Sequence, residues 1–326
     1  MVANVKDKAV IVGVGNTAFS KDSGVSELSL AVQATKAALD DAGLHPSAVD
    51  GMATFTMDTN DEIEVARALG VGEMTFYGRS HYGGGAATSC LHQATMAIAT
   101  GMAETVVVYR ALNGRSGHRF SSGVSGDITT ADAIHWGWYM PYGLLTPASW
   151  VAMFTQRWMH NTGVTKDALY EVAKTTRDYG ANNPAAFFHG RTFDRAEYDA
   201  ARMIADPLQL FDCCQESDGG SAIIVTTPER ARDLKQPGVA VRGVAQCAAK
   251  DQEQMTSFYR EEFAGIPEME RASQNVYEMS GLAHDELDAA DIYDAFSPIV
   301  LWQLEAWGQC GYGESVDFVK HGALRS

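Results

Sequence analysis

The chain has 326 residues, 46% apolar and 20% charged, enough to bury a large core in one large α/β unit or two domains. Twenty-five basic residues against 41 acidic ones leave a formal charge of −16, which argues against non-specific binding to nucleic acid or anionic membrane but leaves an anionic small ligand open. Residues 1–8 lack a signal-peptide pattern, no apolar run reaches about 18 residues, and the five scattered cysteines form no C-x-x-C or Cys/His ligand spacing, so a cytoplasmic protein with reduced thiols and no metal is expected.

In chain order, residues 9–15 are a short apolar run ending in glycine, as a strand buried on both faces requires. A polar loop over 16–26 follows, and then Leu28, Ala31, Val32, Thr35, Ala38 and Leu39 mark an amphipathic helix stopped by Gly43. Residues 50–56 read as a strand, 63–69 as a short helix, 84–100 as a small-residue helix and 105–109 as another buried strand. From 112 to 207 the pattern breaks into glycines, serines and aromatics, then helical patches at 147–161, 165–180 and 194–203. That stretch reads as an insertion at the end of a sheet. Residues 221–226 return as a strand and 228–234 as a closing helix. A second strand-first series begins at 238–244, with a helix at 267–280, a strand at 291–296 and a helix at 299–307 entered at Pro298. The repeated alternation predicts two doubly wound βαβαβ halves, 1–236 (with the inserted loop domain 112–207) and 237–326.

The stretch His81-Tyr82-Gly83-Gly84-Gly85 opens the helix at 84–100. Glycine amides at a helix N-terminus present free N–H donors and the positive end of the helix dipole. A steric reading also holds, in which the glycines give only a tight backbone entry. Cys90 lies six residues past Gly84, about 9 Å along a helix axis and roughly 240° around it, so it reads as a small buried side chain.

This turn resembles the nucleophile turn of thiolases, where a cysteine stands seventeen residues before the glycine closing an Ile-Ala-x-Gly segment. Counting back from Gly101 gives Gly84, so the nucleophile is missing. Asn182-Asn183-Pro184 resembles a segment of sterol-carrier-type thiolases. Ser217-Asp218-Gly219-Gly220-Ser221-Ala222 resembles the Ser-Asp-Gly-Ala-Ala segment, and Tyr293-Asp294-Ala295-Phe296 stands where thiolases carry Asn-Glu-Ala-Phe. As an ordered set these identify a thiolase-like α/β fold. Glycine for the cysteine and tyrosine for the Asn or His resemble the actinobacterial lipid-transfer-protein aldolases of steroid side-chain breakdown. The resemblance implies retro-aldol cleavage of a steroid β-hydroxyacyl-CoA, for example a 17-hydroxy steroid carboxyl-CoA, to a keto-steroid and propionyl-CoA. It implies no cofactor beyond the coenzyme A of the substrate. It also implies a homodimer, paired through a strand near 105–110, bound to the OB-fold domain of a MaoC-like hydratase. A second catalytic tyrosine is expected beyond Ser326.

A retro-aldol step needs a base for the β-hydroxyl, a stabiliser for the thioester enolate and an acid for its carbon. A phenol can serve as acid or base when its surroundings tune it, which nominates Tyr293. The amides of Gly84 and Gly85 are the oxyanion candidates. His81 and Tyr82 flank them, as proton relays or structural hydrogen-bonders. Asp294 either orients Tyr293 or caps the following turn. Asn183 and His189 are the substrate-binding candidates. His135, Phe120, Trp136, Trp138 and Tyr139 line a steroid or pack the insertion, and Arg177 or Arg191 meets a coenzyme A phosphate or solvent. The alternatives are a non-catalytic acyl-CoA or sterol carrier, and a thiolase using Cys90, which the helix geometry disfavours.

Overall fold

The computed structural model describes residues 5–55, 59–80, 87–117, 119–123, 136–253, 256–320 and 324. The chain forms two compact units. The first takes residues 1–118, 216–246 and 274–282; the second takes 119–215, 247–273 and 283–326. The return of 216–246 and 274–282 to the first unit places these divisions elsewhere than the 236/237 boundary expected from sequence.

The first unit is built on a six-stranded sheet in the order β3-β2-β4-β7-β1-β8. Its strands are β1 (Val10–Asn16), β2 (Gly51–Phe55), β3 (Phe76–Ser80), β4 (Thr105–Asn113), β7 (Asp218–Thr226) and β8 (Val239–Ala240). β2 runs parallel to β3 and β4, whereas β7 is antiparallel to both β4 and β1, so the sheet is mixed. Helix α1 (Glu27–Ala42) lies on β1, β7 and β4 through Leu30, Ala31, Ala34, Thr35, Ala38, Leu39 and Ala42. Its closeness explains the sequence Gly13-Val14-Gly15: a Cβ on Gly13 would stand 2.3 Å from the Ala38 carbonyl oxygen, and one on Gly15 2.3 Å from that of Ala34. Ser26 caps α1 by accepting from the Ser29 amide at 3.2 Å, and Gly43 ends it at φ +74°. Helix α2 (Glu62–Leu69) follows β2, and α3 (Ala87–Ala99) follows β3. α3 buries Ala94, Ala97 and Ile98 in a cluster with Val106 and Val225.

Three expectations fail here for physical reasons. The strand at 105–110 is not an edge: β4 is paired on both sides, and the sheet's edges are β3, whose Tyr77 is 66% exposed, and the two-residue β8. The strand at 238–244 survives only as the two-residue β8 on the outer side of β1. The 291–296 segment is not a strand. Its one bridge joins Phe296 to Cys213, because Asp291, Tyr293 and Asp294 face solvent and offer no apolar strip to a neighbour.

The second unit is mainly helical. Helices α4 (Pro147–Thr162), α5 (Lys166–Asn182), α9 (Ser297–Ala306) and α10 (Ser315–Lys320) share a core of Trp158, Leu169, Val172, Leu301, Trp302 and Val319. Trp158 and Trp302 meet edge to face at 6.2 Å. The helical patch at 194–203 shortens to α6 (Arg195–Asp199), after which β5 (Met203–Ala205) and β6 (Leu208–Gln209) form a small ribbon. The short α7 (Pro228–Ala231) belongs to the first unit, and α8 (Pro267–Ser280) is divided between the two at residue 273/274. Among the described residues no helix is long and apolar enough to cross a membrane.

Candidate active site

Tyr293 and Asp294 sit on the run just before α9. That run is held from two sides. The carboxamide Nε2 of Gln303, buried on α9, donates to the Tyr293 carbonyl at 2.6 Å and to the Ile299 carbonyl at 3.1 Å. The Cys214 amide donates to the Ala295 carbonyl at 2.9 Å. α9 starts against Ser297 and Pro298, both buried, so the backbone beneath Tyr293 is fixed while its side chain is 45% exposed.

A buried carboxylate braces the 213–214 strip. Asp212 accepts from the Tyr198 hydroxyl at 2.9 and 3.0 Å and from the Gln209 amide at 2.9 Å. Burial raises the Asp212 carboxyl above the usual range despite these bonds and one from Ser297, and burial with the Asp212 charge raises the Tyr198 phenol. Asp294 is exposed as a residue, yet its carboxyl is partly desolvated. Burial there, with the charge of Asp291 added, lifts it above the ordinary carboxylate value. Asp294 is therefore suited to hold a proton longer than a surface aspartate.

The other candidates divide. His81, Tyr82, Gly84 and Gly85 lie outside the described residues, between the end of β3 at Ser80 and the start of α3 at Ala87. His135 is also outside them. Asn183 caps the C-terminus of α5, and its Oδ1 accepts from the Ala185 amide at 2.9 Å, so the side chain is engaged in a local turn. His189 is exposed in the same loop, its amide donating to Ala186. Trp136 is a packing residue stacked on Trp150 at 5.7 Å, whereas Trp138 is exposed. Tyr139 donates to Glu253 at 2.5 Å; burial, then this contact, raises its phenol.

Cys90 is fully buried, its thiol donating to the Thr54 carbonyl at 3.4 Å beside Ala53 and Phe55, which agrees with a structural role. An open cleft of about 480 Å³ runs along α4, with Leu144, Met153 and Phe263 on its wall; Tyr293 and Asp294 do not line it. Among the described residues no group of three or more His, Cys, Asp or Glu is placed to hold a metal ion. Sequence reasoning missed Gln303 and Asp212. A glutamine inside the apolar run of 298–304 was the available signal for Gln303, since a buried amide needs partners.

A mixed α/β sheet, a small-residue helix after β3 and a tyrosine ahead of α9 define a thiolase-like enzyme. Residues 249–326 match the family described as thiolase C-terminal domain-like. A steroid side-chain-cleaving aldolase of Thermomonospora curvata is 50% identical over 318 residues, 97% of this chain and 81% of that protein. A 17-hydroxy-3-oxo-4-pregnene-20-carboxyl-CoA lyase of Mycobacterium tuberculosis is 48% identical over 97% of this chain and 83% of its own length. The solved structure of the Ltp2-ChsH2(DUF35) aldolase superposes with a TM-score of 0.93 at 49% identity, covering 98% of this chain and 82% of that one. The chain belongs to the steroid side-chain-cleaving aldolases of the thiolase superfamily.

Proposed function

We propose that this protein is a carbon–carbon lyase that cleaves a steroid side-chain β-hydroxyacyl-CoA by a retro-aldol reaction. The observation that carries this reading is identity of about half the residues, over nearly the whole chain, to two lyases of that reaction class. In the step itself the base removes the β-hydroxyl proton. The Cα–Cβ bond then breaks to give a ketone and the thioester enolate, and an acid protonates the enolate carbon to release propionyl-CoA. Tyr293 is placed in the acid–base pair, supported by its fixed backbone and accessible side chain. Asp294 beside it tunes or orients the phenol. The amides of Gly84 and Gly85 take the oxyanion role, with His81 and Tyr82 as relays or hydrogen-bonders. Coenzyme A enters as part of the substrate, and proton transfer with enolate stabilisation suffices for the bond cleavage, with no further cofactor.

The protein acts in the cytoplasm as a homodimer that binds the OB-fold domain of a MaoC-like hydratase. The exposed edge of β3 supports the dimer, because an unpaired strand edge offers the N–H and C=O groups that an identical strand can complete. The full chain, with and without such a partner, is offered 17-hydroxy-3-oxo-4-pregnene-20-carboxyl-CoA and the products are identified by mass. Release of propionyl-CoA and the 17-keto steroid is expected. Binding without turnover in both conditions contradicts the reading and favours a carrier.

A further inference from the structure

Strand β3 ends at Ser80, where its parallel ladder with β2 closes on the pair Phe55–Ser80. Helix α3 begins at Ala87, so residues 81–86, with the glycine run, start from one element and finish in the other. Two side chains fix the strand end. The Arg79 guanidinium donates to Glu62, buried at the start of α2, at 2.7 and 3.0 Å and to Asp61 at 2.9 Å. The carboxamide of Gln93, on α3, donates to the Arg79 carbonyl at 3.0 Å and to the Ser80 hydroxyl at 3.2 Å. That carbonyl can only accept, so it sets which end of the carboxamide faces the strand. The other end, Oε1, is buried and has no hydrogen-bond partner among the described residues. An unmet buried acceptor costs stability, and a leucine of similar volume would avoid that cost. The strand also leaves room for it: a Cβ on Gly78 would stand 2.2 Å from Oε1 of Gln93. The cleared space and the unsatisfied oxygen are both costs of keeping this one carboxamide across the end of β3.

We infer that Gln93 is a positioning residue: by tying β3 to α3 it fixes where residues 81–86 enter and leave, and so the aim of their amides at the thioester oxygen. The inference rests on the oxyanion role proposed above for the Gly84 and Gly85 amides, and its test separates the two. Preorganised donors discriminate between an enolate and a neutral thioester, and that discrimination falls steeply with small displacements. The full chain is titrated calorimetrically with a nitroalkyl thioether of coenzyme A, whose nitronate copies the thioester enolate, and with propionyl-CoA. Turnover of a β-hydroxyacyl-CoA and Tm are measured alongside. Wild-type protein should bind the nitronate about a hundredfold or more tighter than propionyl-CoA. Gln93→Leu should narrow that ratio about tenfold and lower kcat about tenfold, with KM within about twofold and Tm within about 2 °C. Gly78→Ala, whose methyl displaces the carboxamide without altering it, should reproduce the kinetic loss. In Gly78→Ala/Gln93→Ala the change at 78 should add no more than about twofold to the loss in Gln93→Ala, since it acts only through the carboxamide. A wild-type ratio of the two affinities in Gln93→Leu overturns the inference. Nitronate and propionyl-CoA affinities that fall together, the mark of a structural role, also overturn it, as does full additivity of the changes at 78 and 93. A nitronate bound by wild-type protein no tighter than propionyl-CoA overturns the oxyanion role and the inference with it. Wild-type protein that prefers the nitronate, loses that preference in Gln93→Leu and cleaves no β-hydroxyacyl-CoA leaves the positioning standing and removes the aldolase reading.

Discussion

Replacing Gln303 by methionine tests whether the backbone clamp positions Tyr293 for chemistry. The change keeps side-chain length and removes the Nε2 donor from the Tyr293 and Ile299 carbonyls. The Ile299 carbonyl retains its helical partner, and the Tyr293 carbonyl loses its bond from Gln303. The net loss is then about one hydrogen bond, roughly 1 kcal/mol, or a Tm lower by about 1–2 °C for a chain of this length. The bond from the Cys214 amide to the Ala295 carbonyl remains, so the segment loosens without detaching. A misplacement of about 1 Å at a reacting group costs on the order of 100-fold, so kcat should fall by about tenfold, between that limit and no change. Tyr293→Phe alone should lower kcat by about 10²–10⁴-fold. Steady-state turnover of a β-hydroxyacyl-CoA by both single variants and the double variant completes the cycle. If the clamp acts through the phenol, the double variant is no slower than Tyr293→Phe within about twofold. Full additivity, or wild-type kcat in Gln303→Met with the expected Tm loss, refutes the positioning argument.

Asp218 is buried and accepts from the Ser23, Arg115 and Ser116 amides at 3.0, 2.8 and 3.0 Å. Burial alone would raise its carboxyl, but bonds from Ser116, Arg115 and Ser23 outweigh it and hold the pKa below the ordinary value. The stability it contributes is therefore complete above about pH 4, the unfolded value, and is lost as pH falls through the folded one. Asp218→Asn should cost about 2–4 kcal/mol at neutral pH and flatten that acid limb in a melting series. Cys90→Ala should lose about 1–2 kcal/mol of stability by cavity formation yet retain cleavage; a folded but inactive variant would revive a thiolase-type nucleophile. If the chain pairs through β3 as proposed, Tyr77→Asp should push sedimentation from dimer toward monomer, since charge on a pairing edge opposes association; a dimer unaltered by the change would overturn pairing through β3, and a monomeric wild-type chain would overturn the dimer.

The sequence showed the first unit well because each signal there was local and redundant. Gly13 and Gly15 mark the close approach of α1, Gly43 stops that helix, and the apolar runs of β4 and β7 fit a sheet buried on both faces. Strand direction and order were not legible: antiparallel β7 between β4 and β1 depends on where a long excursion returns, which no short pattern encodes. In the second unit, Tyr293 could be nominated from Tyr-Asp-Ala-Phe, but its anchors lie apart in sequence. Asp212 is more than eighty residues away, and Gln303 is ten residues on and one helix removed. The strand expected at 291–296 is instead a segment with one isolated bridge, its backbone held by hydrogen bonds from Gln303 and Cys214 rather than by a ladder.

The central claim is cysteine-independent retro-aldol cleavage, and product analysis of Cys90→Ala with 17-hydroxy-3-oxo-4-pregnene-20-carboxyl-CoA in deuterium oxide tests it most directly. An enolate protonated by the enzyme takes up one solvent deuteron at the carbon next to the thioester. The account predicts propionyl-CoA carrying one deuterium at that carbon, together with an equimolar 17-keto steroid. Products in any other ratio, an acyl group left on the protein, or unlabelled propionyl-CoA would contradict it.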